Sequence, residues 1–425
     1  MGVETFWMGH RERYVGDVRR IGASISGRRH GKFSVAVHGD VKATEGRWRK
    51  EAEVLGARLA GMGGAVLALS NDLTDAARVT AHAAGSVGMV LENSRRSFDA
   101  NQNGYAAHTW ADSPEARLYC ASAMTDATIF LPTRPYAFWR EYVDKRARTV
   151  PRDRLLIGIG RQYWDPVRVM IEQGCQANLT DAEERQWFQV VDTADEACEL
   201  LDRSLTVGQN GDLSATFDRF AETFDRDVEG VLALCARVVA EHGQIPTLGV
   251  FGSGSNNIDR TYALWTKSTL QTVLARRKGR VIVSQGGNAG LMEVFGQVGC
   301  AFGNVVVVSF TTSIAVANGQ GEQPAHGHCH HSYSCQSYPV RELGVVSGRI
   351  GALDLTGFNL VLRGTGGTRR EMSNPHGQRN VFFKDEWWRP DREHLLLMED
   401  YGLMTTAERA ERFVFVDDPL EIEFA

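Results

Sequence analysis

The chain has 425 residues, with 47 Lys and Arg against 52 Asp and Glu, so its formal net charge is −5. Apolar residues make up 43% of it and charged residues 23%, which is typical of a globular protein. The length suggests two domains, or three. The acidic balance argues against a dedicated nucleic-acid-binding protein, which normally presents a basic face.

Other classes of protein are excluded by pattern. No apolar run approaches the roughly 18 residues of a membrane span, and the N-terminus lacks the apolar core of a secretory signal. Seven cysteines spread over a long chain do not resemble a disulfide framework. We therefore expect a cytoplasmic protein with reduced thiols that binds neither nucleic acid nor membranes.

Apolar runs and helical patterns alternate from residue 30 onwards. Phe33–Val37 and Ala65–Leu69 predict strands, and an apolar stripe from Trp48 to Leu59 between them predicts a helix. This order predicts a βαβ unit and a parallel sheet. Further strands are predicted at Gly88–Leu91, Ala127–Leu131, Leu155–Ile159 and Gln189–Val191.

The same alternation returns about two hundred residues later. Strands are predicted at Thr247–Phe251, Arg280–Ser284, Val305–Phe310, Phe358–Leu362, His394–Met398 and Phe413–Val416. Both passages end with an aromatic-proline turn, at Tyr163–Pro166 and at Trp387–Pro390, followed by a helix and a short strand. We interpret this as a tandem duplication and predict two Rossmann-like, doubly wound α/β domains with parallel sheets.

The predicted organisation has four parts. An N-terminal extension covers residues 1–29, the first α/β domain 30–203, a linker helix 204–244 and the second α/β domain 245–425. The linker helix is predicted from an apolar stripe between Phe217 and Val239, with Gly243 and Pro246 as stop signals. We expect its apolar face to pack against the second domain, with a partner-binding helix as the alternative.

Three glycine-rich turns follow predicted strands of the second domain, at Gly252–Ser255, Gln285–Met292 and Arg363–Thr368. Ligands of open α/β sheets bind at the carboxyl ends of the strands. Glycines let the backbone approach an anion there, and the next helix points its N–H groups at it. The turns predict a site for a phosphate-bearing ligand, with tight turn geometry as the alternative. The predicted binding residues are Gly252, Ser253, Ser255, Gly286, Gly287, Asn288, Gly290, Met292, Gly364, Thr365, Gly366, Gly367 and Thr368.

Two of these turns resemble motifs of one family. Gly286–Met292 (GGNAGLM) is similar to the G-G-x-x-G-L-M turn of the Lonely-guy family, also called lysine-decarboxylase-like proteins. Arg363–Glu371 (RGTGGTRRE) resembles the hallmark P-G-G-x-G-T-x-x-E, with Arg363 in place of proline and Thr365 in place of the second glycine.

The resemblance implies a function. Members of the family are nucleoside 5′-monophosphate phosphoribohydrolases, so we expect a hydrolase that cleaves the N-glycosidic bond of a nucleoside 5′-monophosphate, with a plain or modified base. The products would be free base and ribose 5-phosphate, and neither a cofactor nor a metal is expected. The family's active site lies at a dimer interface, which implies that the two domains form a pseudo-dimer and leaves a homo-oligomer open.

The resemblance also suggests roles for charged residues. An ionised Glu371 would stabilise the positive charge that develops on the sugar, or activate water. We place it in the first turn of a helix, where the dipole favours the ionised form; the alternative is a glutamate that only caps the helix. The family's arginine ahead of the hallmark is assigned to Arg349, which would hold phosphate or assist departure of the base. Arg363, Arg369 and Arg370 would read extra negative charge, unless the last two point into solvent.

The first domain keeps the family outline without the glycines. Glu115–Arg117 and Met124–Pro132 are similar to the family segment that supplies an arginine and leads into the hallmark strand. Thr133–Trp139 then replaces the glycine-rich turn, and Ser70–Asp75 replaces the earlier one. We expect the bulky side chains to block close approach of phosphate. The first domain is therefore predicted to be a degenerate copy, from which Arg117 or a nearby group reaches the site, unless Arg117 is a plain surface arginine.

One segment matches nothing in the family. Pro324–Tyr338 contains His326, His328, Cys329, His330, His331 and Cys335. We interpret it as a lid or substrate loop, with a transition-metal site and an undedicated polar loop as alternatives. Two alternatives also stay open for the whole protein: a non-catalytic nucleotide sensor, and a biosynthetic enzyme acting on a modified nucleotide or phosphosugar. The retained Glu371 favours an enzyme.

Overall fold

The computed structural model describes residues 2–25, 32–40, 46–69, 72–85, 88–92, 105–147, 154–205, 213–255, 257–287, 289–312, 328–347, 358–374 and 379–422. We call residues 2–205 the first half and 213–422 the second half. The described residues form two seven-stranded sheets flanked by helices, and every strand pair is parallel. The predicted fold class, two Rossmann-like doubly wound domains in tandem, is confirmed.

The elements of the first half are α1 (Val3–Ile25), β1 (Phe33–His38), α2 (Gly46–Gly61), β2 (Gly64–Ala68), α3 (Asp72–Ala83), β3 (Gly88–Glu92), β4 (Tyr105–Trp110), α4 (Pro114–Met124), β5 (Ala127–Phe130), α5 (Pro135–Arg146), β6 (Leu155–Ile159), α6 (Arg161–Gln176), β7 (Phe188–Val191) and α7 (Ala194–Ser204).

Those of the second half are α8 (Leu213–His242), β8 (Thr247–Phe251), α9 (Arg260–Ala275), β9 (Val281–Gln285), α10 (Leu291–Cys300), β10 (Val305–Thr312), β11 (His331–Cys335), α11 (Tyr338–Ser347), β12 (Phe358–Val361), α12 (Gly366–Ser373), β13 (Arg379–Phe383), α13 (Arg389–Asp400), α14 (Thr406–Arg412) and β14 (Phe413–Val416).

The two sheets have the same topology. Their strand orders are β4-β3-β2-β1-β5-β6-β7 and β11-β10-β9-β8-β12-β13-β14, so each strand of one half has a counterpart seven numbers later in the other. Hydrogen bonds just beyond the central strands repeat as well. The N–H of Leu131 donates to the carbonyl of His38 at 2.8 Å, and that of Leu362 to Phe251 at 2.9 Å. These matched bonds give the register in which the halves can be compared.

The helix that precedes each sheet is held in the same way in both halves. Asp17 of α1 accepts a hydrogen bond from the backbone N–H of Ser113 at 2.6 Å, and Asp227 of α8 accepts one from the N–H of Ser337. Helix α8 therefore relates to the second sheet as α1 relates to the first. It covers most of the predicted linker 204–244, and it packs on α1 as well as on β11 and α11 of its own half.

The largest buried cluster is shared by the two halves. It contains Trp7 and Trp164 from the first half and Trp388 from the second, all at most 1% exposed. The rings of Tyr14 and Phe224 stack across α1 and α8 with centroids 3.8 Å apart. Two smaller clusters cover the opposite face of each sheet. The shared interior joins the halves as a pseudo-dimer.

Some predicted elements were wrong. His394–Met398, predicted as a strand, lies inside α13, because Leu395 and Met398 are buried three residues apart while Leu396 is 49% exposed. Tyr163–Pro166, predicted as a turn, lies inside α6, whose aromatic side chains there are fully buried. None of the described helices is long and apolar enough to cross a membrane. All seven cysteines are free thiols.

Candidate functional site

A cleft lies at the carboxyl edge of the second sheet, where two of the predicted turns and the start of α10 meet. This second-half cleft contains about 520 Å³ of empty space, part of it open to solvent. It is lined by Gly252, Ser253, Gly254, Ser255, Met292, Tyr338, Arg341, Thr365, Gly367, Thr368 and Glu371, and by Val143 and Arg146 of the first half. Seven predicted phosphate-binding residues are among them: Gly252, Ser253, Ser255, Met292, Thr365, Gly367 and Thr368.

Other predicted glycines pack the walls of the cleft. Gly290 has φ of +59°, and a Cβ there would lie 2.4 Å from the carbonyl oxygen of Ser255. A Cβ on Gly364 would lie 2.0 Å from the Thr368 Oγ1. Tight turn geometry, the alternative raised above, therefore accounts for these two glycines. Gly287 is buried beside the cleft, and Asn288 lies outside the described residues.

Gly367 differs from those glycines. Among the described residues outside its own helix, a Cβ on it would meet only the hydroxyl of Tyr338, at an ordinary 3.6 Å. It is the second residue of α12, whose N-cap Thr365 makes no side-chain capping bond. The first N–H groups of a helix have no partner within the helix, and they carry the positive end of its dipole. The cleft is therefore open where backbone donors are available for an anion.

Glu371 and Arg341 form a buried ion pair in the cleft. Glu371 is 2% exposed, and its carboxylate is bound by the guanidinium of Arg341, which also donates to the carbonyl of Gly286 at 3.1 Å. A Cβ on Gly286 would lie 2.0 Å from that guanidinium, so glycine is needed to seat it. Glu371 is the sixth residue of α12 and not in its first turn, which corrects our placement. The charge of Arg341, rather than the helix dipole, compensates the carboxylate.

Arg341 was missed by the sequence analysis. Arg349, the arginine assigned there, lies outside the described residues. The assignment of Arg349 requires equally long connections ahead of the hallmark-like strand in both halves, but ten residues separate α11 from β12 where two separate α4 from β5. A count from the equivalent serines identifies Arg341 instead, since Arg341 follows Ser337 by four residues just as Arg117 follows Ser113.

The arginines inside the hallmark-like motif support the structure instead of facing solvent. Arg369 and Arg370 are 0% exposed, so the expectation that they point outwards was wrong. Arg369 makes a two-pronged salt bridge with Asp391 at 2.9 and 2.8 Å. Arg370 binds Glu342 at 2.7 Å and Asp144 of the first half at 3.2 Å. Their charges are therefore used within the protein.

Arg363 is likewise engaged, although it is partly exposed. Its guanidinium donates to Asp385 at 2.9 Å and lies 4.2 Å from the ring centroid of Tyr262. Arg363, Arg369 and Arg370 thus all have protein partners, and none of them lines the second-half cleft.

The first half contributes to the second-half cleft through α5. Arg146 donates to the hydroxyl of Thr365 at 3.1 Å and lies 3.4 Å from the carboxylate of Glu184. A Cβ on Gly366 would lie 2.7 Å from the ring of Tyr142, so this glycine allows the close approach of α5. Arg117 instead lines a separate cleft of the first half. Nothing local in the sequence marks Arg146, since a basic residue in the last turn of a helix is ordinary.

The described histidines and cysteines of the segment lie in and just before the outermost strand of the second sheet. His331–Cys335 forms the edge strand β11, parallel to β10, and is therefore not the predicted loop or lid. His331 begins this strand, whereas the cleft lies at the carboxyl ends of the strands. His326 lies outside the described residues. None of the described histidines and cysteines of the segment lines the second-half cleft, whereas Tyr338 at its end does.

One group within that region has the residue types of a metal site. The Nε2 of His331 lies 3.0 Å from the Nε2 of His242 and 3.5 Å from the Glu241 carboxylate. Arg280 lies 2.6 Å from the Nδ1 of His242, and because a guanidinium can only donate, Nδ1 is the acceptor in this contact. Burial lowers the pKa of His331, which favours its neutral, accepting form. A metal-bound imidazole normally donates its second N–H to an acceptor, which the Arg280 contact does not allow.

The chain was also compared with known proteins. No family model matches it, and no curated protein matches it either.

Proposed function

We propose that the second-half cleft binds a nucleoside 5′-monophosphate and that the protein hydrolyses its N-glycosidic bond, giving free base and ribose 5-phosphate. The observation that carries the proposal is the position of Glu371. This carboxylate, held by Arg341, lines the same cleft as the open helix start at Gly367. The resemblance of the glycine-rich turns to the Lonely-guy family supports the same reading.

The phosphate would bind at the start of α12. The backbone there is uncapped at Thr365 and open above Gly367, and the hydroxyls of Ser253 and Thr368 also line the cleft. Helix N-termini bind phosphate because their N–H groups and dipole both favour negative charge. Arg146 would add a cation from the first half, at the hydroxyl of Thr365.

Glu371 would act at the sugar. As the C1′–N bond breaks, its electron pair leaves with the base and positive charge develops on the ribose ring. A nearby carboxylate stabilises that charge and accepts a proton from the water that attacks C1′, while the departing base takes up a proton. Arg341 is a positioning residue here, because it orients the carboxylate and compensates its charge before substrate binds.

A nucleotide sensor is the second candidate, and one observation favours it. The carboxylate of Glu371 is almost fully buried and already bound by Arg341. A hydrolase needs this carboxylate to reach C1′ within the same cleft, whereas a sensor would use the ion pair only to hold the wall of the pocket.

One experiment separates the two candidates. Purified protein is incubated with purine and pyrimidine 5′-monophosphates, including modified bases, and released base is measured by chromatography. Glu371→Gln keeps an oxygen for Arg341, and we expect it to lower turnover about 10²–10⁴-fold while nucleotide affinity stays within a few-fold.

Glu386→Gln is the matched control, since that carboxylate is 82% exposed and outside the cleft. Circular dichroism checks that each variant is folded. Base release that is equal in the wild type and Glu371→Gln would end the catalytic assignment. Binding without any base release in the wild type would establish the sensor.

A further inference from the structure

The first half has a cleft at the place equivalent to the second-half cleft. This first-half cleft contains about 980 Å³ of empty space, part of it open to solvent. Backbone hydrogen bonds locate it: the N–H of Asp40 donates to Pro132 at 3.2 Å, just as that of Ser253 donates to Arg363 at 3.0 Å. Its lining includes both Asp40 and Arg117. The replaced glycines have therefore not closed the site.

The change of residues alters how this cleft could hold a ligand. Helices α5 and α12 begin at Pro135 and Gly366, so their second residues are Tyr136 and Gly367. A tyrosine side chain thus occupies the position that is open in the second half. A ligand in this cleft therefore cannot come close to the first backbone N–H groups of α5, and side chains would have to bind it instead.

Three arginines line the first-half cleft: Arg117, Arg134 and Arg412. Arg412 comes from the second half, and its guanidinium donates to the carbonyl of Asn374 at 2.9 Å. Burial first, and then the like charge of Arg134, lower the pKa of Arg412. The two guanidiniums therefore repel each other, and an anion between them would relieve the repulsion.

Acidic groups offset part of the charge of Arg134 and Arg412, and the carboxylates of Glu408 and Glu411 act to raise the pKa of Arg412. Arg134 lies 3.4 Å from the carboxylate of Glu408 and 3.9 Å from that of Asp40. Both acids are more than a fifth exposed, so solvent weakens their attraction for the arginine. Arginine forks bind phosphate oxygens with paired hydrogen bonds, which favours phosphate over water in such a cleft.

A second observation points to a ligand. The hydroxyl of Tyr136, a residue only 7% exposed, has no hydrogen-bond partner among the described residues, and Tyr136 lines the cleft. A buried hydroxyl without a partner costs about 1–3 kcal/mol. An oxygen of a bound molecule would satisfy it.

We propose that the first-half cleft is a second binding site, which takes the phosphate monoester of a small molecule through Arg117, Arg134, Arg412 and the Tyr136 hydroxyl. The site is separate from the second-half cleft and does not depend on whether that cleft hydrolyses nucleotides.

Isothermal titration calorimetry tests the proposal with three probes: ribose 5-phosphate, adenosine 5′-monophosphate and inorganic phosphate. We expect binding of a monoester to persist in Gly367→Ala, which adds a methyl group to the second-half cleft and weakens binding there. In that background Arg412→Met should weaken binding at least tenfold and Tyr136→Phe about fivefold, because each removes a polar contact to the phosphate. Binding of inorganic phosphate but of neither ester would overturn the proposed monoester and leave a site for free phosphate.

Arg389→Met is the matched control, since Arg389 is exposed and outside both clefts. Tyr136→Phe removes one buried hydroxyl and keeps the ring, so it also reports if Arg412→Met fails to fold. The proposal is wrong if none of the probes binds at millimolar concentration, or if Gly367→Ala abolishes all binding. It is also wrong if Arg412→Met and Tyr136→Phe leave the isotherms unchanged. Because the readout is binding, absence of base release would not affect this result.

Discussion

Gly367→Ala is the sharpest test of the ligand site, because here one methyl group should change binding without harming the fold. The new Cβ would lie 3.6 Å from the Tyr338 hydroxyl, with no other atom within 4 Å among the described residues outside its helix. Alanine in place of glycine within a helix stabilises by roughly 0.5–1 kcal/mol. We therefore expect the free energy of unfolding to stay the same or rise slightly.

Ligand binding should change in the opposite direction. The methyl group would project into the cleft beside the first N–H groups of α12, where the phosphate is expected. A hydrogen bond to a charged group contributes about 1.5–3 kcal/mol. Loss of one such bond should weaken binding of a nucleoside 5′-monophosphate to this cleft by about ten- to a hundredfold, since 1.4 kcal/mol corresponds to a factor of ten.

Two neighbouring glycines give the contrast. A Cβ on Gly364 would lie 2.0 Å from Thr368, and one on Gly366 would lie 2.7 Å from the buried ring of Tyr142. Alanine at either position should therefore destabilise the protein by about 1–3 kcal/mol through overpacking. Urea denaturation measures stability and calorimetry measures affinity. If Gly367→Ala binds nucleotide as tightly as the wild type at the second-half cleft, the phosphate does not lie at the start of α12.

Three further predictions concern charged groups. Arg370→Met should lower the free energy of unfolding by about 3–5 kcal/mol, because it leaves Asp144 and Glu342 buried beside an apolar chain; a loss below 1 kcal/mol in urea denaturation would contradict this. Burial lowers the pKa of His394 to about 3. As the pH drops below about 6.5, the free energy of unfolding of the wild type should therefore fall relative to that of His394→Phe, by up to about 1.4 kcal/mol per pH unit. A difference in unfolding free energy that stays constant between pH 4 and 7 in urea denaturation would refute this. Arg146→Met should weaken nucleotide binding about tenfold and also lower the melting temperature, because Arg146 lies 3.4 Å from the buried carboxylate of Glu184; an unchanged calorimetric affinity would show that Arg146 does not contact the ligand.

The central strands and the glycine-rich turns could be predicted from the sequence because their signals are local. The edge strands Phe188–Val191 and Phe413–Val416 were also predicted, because they keep short apolar runs. The edge strands Tyr105–Trp110 and His331–Cys335 were not, because they lack continuous apolar runs. The second of these was taken for a loop because its histidines and cysteines suggested chemistry. The polar residues of such a strand do not indicate in the sequence that a neighbouring strand, here β10, pairs with them.

The charged residues of the site depend on contacts that are distant in sequence. Arg369 and Arg370 follow the hallmark-like turn directly and suggested solvent or ligand, yet their partners Asp391 and Asp144 are 22 and 226 residues away. A charge is buried only where a partner compensates it. Since the sequence does not show which carboxylates come near, the burial of these arginines had no local signal. Ser113 and Ser337 occupy equivalent positions in the two halves. This equivalence was the one signal that could have located Arg341.

Under the proposed function, we expect the duplication to place catalysis in one cleft and binding alone in the other. Counted from the starts of α5 and α12, the sixth residue is Arg140 in the first half and Glu371 in the second. Arg140 is fully buried and pairs with Asp144 at 3.1 Å, and Asp144 in turn binds Arg370 of α12. The position that offers a carboxylate to the second-half cleft is thus used in the first half to join the two helices. An oxocarbenium-like transition state in the first-half cleft would find no carboxylate from this position, because Arg140 stands there and does not line the cleft. Hydrolysis should therefore be confined to the second-half cleft, whichever phosphate ester the first-half cleft holds.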